Sequence, residues 1–274
     1  MSYNSFRALA KTLLAVLART LKPIIPHPLY RSLEMYVTRR NANRWLDRMG
    51  VFPLALRAAE QFGYAVQSGP FIGMKYTRSA VLSRHATPAL LGVYERQLYP
   101  FLEVAAQRCD LVIDIGSAEG YFAVGLGRLG NRVVTFDADP HERKICREMA
   151  AVNKVSDRVT VESWCTPSKL IGLVERKRRP LVISDIDGGE LALFTPEVVS
   201  ATRHCDLIIE MHGKDVTENS AFARRFDKAV KILDSPTSDP TAIERLKFLG
   251  LDAARMATEY RPFQQWLLRE GSSK

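Results

Sequence analysis

Val112-Ile-Asp-Ile-Gly-Ser-Ala-Glu-Gly-Tyr121 reads as a buried strand that runs into a glycine turn and then a helix. Leu111–Ile115 is a continuous apolar run interrupted only by Asp114, the pattern of a parallel strand covered on both faces. Gly116 and Gly120 let the backbone turn tightly and approach a ligand closely. Ser117 and Ala118 keep the opening clear, and the helix Tyr121–Leu129, closed by Gly130, presents unsatisfied N–H groups at its start.

The same rhythm continues outward. Arg132–Phe136, Val159–Glu162, Leu181–Ser184 and Leu207–Glu210 have the length and composition of further strands. Between them, helices are expected over Pro140–Val152, over Pro167–Arg178 and from about Gly189, with another over Asn219–Leu233. Alternating strands and helices predict a parallel sheet covered on both faces. Ligands then bind outside the carboxyl ends of the strands.

Asp137 ends the second strand about 20 residues after the glycine turn, where nucleotide-binding α/β units place a carboxylate for the ribose hydroxyls. The turn lacks Gly-x-Gly-x-x-Gly, whose glycines seat a pyrophosphate on the helix N-terminus. Glu119 would also oppose phosphates, whereas a ligand with a sulfonium and an ammonium group tolerates Asp114 and Glu119. Charge therefore favours S-adenosylmethionine over a dinucleotide. The candidate cofactor residues are Asp114, Gly116, Ser117, Ala118, Glu119, Gly120, Tyr121, Asp137, Ala138, Trp164, Cys165 and Asp185. Trp164, after the third strand, is placed either to stack on adenine or to fill the core. Tyr94 and Glu95, before the first strand, either close over the cofactor or simply pack. Arg224, Arg225 and Phe226 read as a solvated helix face.

Methyl transfer from a sulfonium needs positioning and, for a hydroxyl nucleophile, a base. The candidates at the strand ends are His212, Asp185 and Glu210, with His212 preferred because imidazole titrates in the useful range. A purely structural histidine is the competing reading. Asp187 and Glu190 suit either chemistry or the cap of the next helix. Asp185, Asp187, Glu210 and His212 could together ligate a divalent cation, but no tight spacing supports one and no metal is assigned.

These residues resemble a known family. Val112–Tyr121 resembles motif I of the class I S-adenosylmethionine-dependent methyltransferases. Val134-Thr-Phe-Asp-Ala-Asp-Pro140 is similar to the Phe-Glu-Pro-x-Pro signature of their FkbM family, with Asp137 for the usual Glu, and Asn153 matches an Asn after the second helix. Ile183-Ser-Asp-Ile-Asp-Gly-Gly-Glu190 resembles Lys-Ile-Asp-Val-Glu-Gly-x-Glu, and Leu207-Ile-Ile-Glu-Met-His212 the fifth strand. The likeness covers about residues 94–212. It departs at Ser184, where the family usually has Lys, and at Asp187, where it has Glu. Gly73-Met-Lys-Tyr76, Gly92-Val-Tyr-Glu-Arg96 and Glu259-Tyr-Arg-Pro262 with Trp266 resemble a poorly characterised bacterial branch. The resemblance implies a Rossmann-like class I methyltransferase fold: a mostly parallel seven-stranded sheet with helices on both faces. It also implies O-methylation of a hydroxyl on a small molecule or glycan.

Composition bounds the rest. The 274 residues, 46% hydrophobic and 25% charged, suit one catalytic domain plus an extension. Residues 1–50 hold nine basic and two acidic side chains, so most of the net +9 lies there. The division expected is a basic helical N-terminal extension (1–50), a helical and irregular segment (51–108) and the catalytic domain (109–274). The arm is either a solvated helix or a contact for acidic partners, anionic membrane among them. The four cysteines contain no CxxC pair, which supports neither a zinc site nor a disulfide framework. Leu13–Ala18 is too short to span a bilayer, and a cytoplasmic protein is expected. Nucleic-acid methylation and a non-catalytic binding role are the alternatives. The first lacks an Asn-Pro-Pro-Tyr clamp, since Ser184-Asp-Ile-Asp187 stands in its place.

Overall fold

Seven strands form one sheet in the order β3-β2-β1-β4-β5-β7-β6. The structure, a computed structural model, describes residues 46–83, 85–213, 216–226, 230–234, 240–257 and 265–272. The expected basic helical extension 1–50 lies outside them apart from its last five residues. The strands are β1 Val112–Ile115, β2 Val133–Phe136, β3 Val159–Glu162, β4 Leu181–Ser184, β5 Asp206–Met211, β6 Lys231–Asp234 and β7 Gln265–Arg269. β1 to β5 pair in parallel, and β7 runs antiparallel to both β5 and β6. The fold is the mostly parallel Rossmann-like sheet expected.

Helices α1 Val51–Gln61, α2 Arg78–Val81, α3 Ala86–Leu91 and α4 Tyr99–Arg108 precede the sheet. α5 Tyr121–Arg128, α6 Pro140–Val152, α7 Pro167–Val174, α8 Glu190–Leu193, α9 Pro196–Ala201 and α10 Val216–Ala223 follow. α11 Pro240–Arg245 and α12 Ala253–Ala257 lie between β6 and β7. Alternation along each strand divides the apolar side chains between two cores. Val112, Val133, Leu181, Ile183 and Ile208 face one, with residues of α1, α3, α4, α5, α6 and α12. Ile113, Ile115, Phe136, Val182, Leu207 and Ile209 face the other, with α7, α9 and α10.

Local chemistry sets several boundaries. α6 begins where Asp139 accepts the His141 N–H at 2.9 Å, with Pro140 in the first turn. Thr166 and Thr195 cap α7 and α9 in the same way, each followed by a proline. The helix expected from Gly189 is therefore split, since Thr195-Pro196 starts a new one. α7 ends at Val174, earlier than the expected Arg178, and Asp110 accepts the Arg178 and Arg179 N–H groups into a turn. The larger difference is Asn219–Leu233. Helix α10 ends at Ala223, and Lys231–Asp234 is strand β6, with Leu233 opposite Trp266 on β7. Phe226, Val230 and Leu233 mimic helical spacing, but pairing with a strand more than 30 residues later decides the conformation. Among the described residues, no helix is long and apolar enough to cross a membrane.

Candidate active site

The sheet changes direction of winding between β1 and β4, and the crevice outside their carboxyl ends is the natural ligand site. The β1–α5 loop enters it with Gly116 at φ 95° and Gly120 at φ 98°. At Gly116 a Cβ would lie 1.7 Å from the Asp185 carbonyl oxygen, so glycine alone lets this loop meet the end of β4. At Gly120 a Cβ would approach Cys146 Sγ to 2.8 Å.

Asp137, at the tip of β2, holds the loop from the side. Its Oδ2 accepts the Ala118 N–H at 2.9 Å and its Oδ1 the Asp139 N–H at 2.7 Å. Burial pushes this carboxyl up to about 6, against the pull of those two hydrogen bonds. Each oxygen keeps a further lone pair for a ligand hydroxyl. Asp114 is buried within β1 and accepts the Thr135 hydroxyl at 2.7 Å from its register partner on β2. Burial drives its carboxyl up to about 7, the Thr135 bond opposes this, and Asp137 and Asp185 add to it. Ala138 is half-buried beside Asp137, and its carbonyl accepts from Arg143 at 2.8 Å. Trp164 is exposed at the end of β3, so the core reading of that residue falls. Cys165 is half-buried, with its thiol pushed up to about 12 by burial.

Glu119 does not do what its charge alone suggests. Its side chain is buried and accepts the Tyr76 hydroxyl at 3.3 Å, and burial raises its pKa. It ties the loop to the leading segment rather than presenting a negative charge to a ligand. Tyr121 is buried too, its hydroxyl 2.9 Å from that of Tyr99, and Tyr94 packs edge-on against its ring. Tyr94 and Glu95 are buried. Arg224 and Arg225 are exposed, as expected of a solvated face, with Arg225 donating to the Leu191 and Phe194 carbonyls, whereas Phe226 is buried. The Asn153 side-chain amide clips α6 to Lys75, accepting from the Lys75 backbone N–H and donating to the Lys75 carbonyl, at 2.8 Å each.

The expected acid–base group assembles at the ends of β4 and β5. His212 Nδ1 lies 2.9 Å from Glu190 Oε1. Its Nε2 faces Asp185 Oδ1 at 3.5 Å, Asp187 Oδ1 at 3.6 Å and Glu210 Oε2 at 3.8 Å. Burial lowers the imidazole pKa, but the Glu190 hydrogen bond and the charges of Asp185, Glu190 and Asp187 outweigh it and raise the group above its ordinary value. Glu190 thus binds the histidine, and also accepts the Ile186 N–H at 3.4 Å. Two contributors stand in stretches already singled out in the sequence, but no local pattern signals the contacts they make. Tyr76 lies 43 residues before its partner, and Thr135 is marked only by its register opposite Asp114.

No family model matches the chain, and no curated protein matches it. Solved structures do. A putative O-methyltransferase from Klebsiella pneumoniae is 13% identical, over 85% of this chain and 97% of that one, with a TM-score of 0.42. The O-methyltransferase TomG from Streptomyces achromogenes, in complex with SAM, is 12% identical over 64% of this chain and 81% of that one, at 0.40. An rRNA methylase from Streptococcus thermophilus is 11% identical over 64% and 96%, at 0.43. Activity and acceptor do not transfer across such distances, and the chemistry of this site rests on its own geometry.

Proposed function

We propose that this chain transfers a methyl group from S-adenosylmethionine to a hydroxyl oxygen of a small molecule or glycan. The carrying observation is the contact of Gly116 with the Asp185 backbone. It puts the cofactor loop and the carboxylate–imidazole group in one crevice, so that a donor and an acceptor can meet in line.

The residues fit the cofactor. Asp137 has acceptor capacity left for two ribose hydroxyls, and exposed Trp164 offers a face for adenine. A cationic ligand near Asp114 would favour its ionised form, whereas a pyrophosphate would oppose it. S-adenosylmethionine supplies, when bound, a methyl group on a sulfonium sulfur. His212, held at Nδ1 by Glu190, is the base of this reading and takes the hydroxyl proton of the acceptor at Nε2. The carboxylates of Asp185, Asp187 and Glu210 around it disfavour a phosphate-rich acceptor, which counts against nucleic acid.

Thermal unfolding with S-adenosylhomocysteine tests the reading. A millimolar ligand should raise the melting temperature of the wild type, NAD should not, and Asp137→Ala should lose most of the shift. No shift in the wild type would sink the cofactor assignment. For the base, His212→Ala should lower turnover by about 10²-fold or more, measured by label transfer to an accepted hydroxyl.

A further inference from the structure

We infer that the group at the ends of β4 and β5 is a binding site for one divalent first-row metal ion, with Asp185, Asp187 and His212 Nε2 as its ligands. One oxygen from each aspartate and the imidazole nitrogen lie within 4.8 Å of one another. Nε2 stands 3.5 Å and 3.6 Å from those oxygens. Neither pair is hydrogen-bonded, and Nε2 is shielded from solvent with no hydrogen-bond partner. The separations suit an ion between them, because bonds of about 2.1 Å set ligand atoms about 3 Å apart at right angles and about 4.2 Å apart across the ion.

An independent observation lies on the other side of the ring. Metal-ligating histidines donate their second N–H to a carboxylate, which fixes the tautomer and raises ligand basicity. Glu190, 5% exposed in its side chain, accepts from Nδ1 at 2.9 Å. That bond leaves the Nε2 lone pair aimed at Asp185 and Asp187. An aspartate pair alone would suit magnesium, calcium or manganese, and an imidazole ligand shifts the preference toward first-row metals such as iron or zinc. Three protein ligands leave coordination positions open, and an oxygen-donor molecule such as a hydroxyl acceptor can fill one.

Binding of the ion stands on this geometry, and its use toward an acceptor hydroxyl rests on the methyl-transfer reading. With the ion bound, Nε2 is a ligand. The hydroxyl proton then passes to the Glu210 carboxylate, whose Oε2 lies 3.8 Å from Nε2.

The test is a titration of the chelator-stripped full chain with Mn²⁺, followed by loss of the free-ion electron paramagnetic resonance signal. One saturable site is expected, displaced by Zn²⁺ and poorly by Mg²⁺. Asp187→Asn changes an exposed side chain and should leave the fold intact while weakening Mn²⁺ at least about tenfold. Glu190→Gln, which alters the partner of Nδ1 and keeps an oxygen for the Ile186 N–H, should weaken it by about 10- to 100-fold. No saturable site at millimolar Mn²⁺ or Zn²⁺, or equal affinity in wild type and both variants, would overturn the inference. The S-adenosylhomocysteine melting shift on the same sample reports the methyl-transfer reading separately.

Discussion

Two opposed pH dependences meet in Asp137. Its carboxyl is raised by burial to about 6, from an ordinary 3.8. In the cofactor-free protein its favourable contribution is therefore complete at low pH and is lost as the pH rises from about 4 through 6, by at most about 3 kcal/mol. Ribose hydroxyls need the ionised form, so affinity for S-adenosylhomocysteine moves the other way. It should fall as the pH drops below about 6, by no more than about tenfold per pH unit. Asp137→Asn should flatten both profiles, measured by denaturant titration and by calorimetry. A wild-type affinity that is constant between pH 5 and 7 would remove Asp137 from ligand binding. The position of this residue was legible in the sequence because it ends a β-branched strand at a fixed distance from the glycine turn. The direction of Glu119 was not, since its partner Tyr76 comes from a distant segment and no local pattern encodes that contact.

Among the elements, the β1–α5 loop and the loop after β4 depend on each other. Gly116 and Gly188 have similar φ angles, 95° and 91°, but a Cβ meets the Asp185 carbonyl at the first and nothing within 4 Å at the second. Gly116→Ala should cost about 4 kcal/mol or more, because one of the two loops must move. Gly188→Ala should cost only the conformational penalty, about 1–2 kcal/mol. Denaturant midpoints compare the two directly, and equal losses would mean that the close contact does not constrain the loops. The central strands were readable to within a residue or two because parallel strands buried on both faces are continuous apolar runs. Helix α6 was readable through its Asp139-Pro140 start. Strand β6 was not, because Ile232 and Leu233 follow a helix and gain their conformation only from β7. The histidine group was half legible. Asp185, Glu210 and His212 stand at predictable strand ends, whereas the role of Glu190 depends on a contact across 22 residues.

At the scale of the whole molecule, the two ends of the sheet have separate duties. Opposite the site, buried Asp206 accepts from Arg108 at 3.0 Å, from Arg179 at 3.2 Å and from the Gly271 N–H at 2.9 Å. This joins α4, the approach to β4, β5 and the segment after β7. Arg108→Ala should destabilise the protein by about 1–3 kcal/mol, since it strips one partner from a buried carboxylate. Affinity for S-adenosylhomocysteine should stay unchanged, and a parallel loss of affinity would show that the two ends are coupled. The reversed direction of β7 has a practical result. Arg269 pairs with Leu207 near the start of β5, and the Ser272 N–H donates to the Arg203 carbonyl at 3.0 Å. The chain therefore leaves β7 on the side away from Asp185 and His212. A bead, dye or fusion partner joined beyond Ser272 would leave the mouth of the crevice clear for even a bulky acceptor.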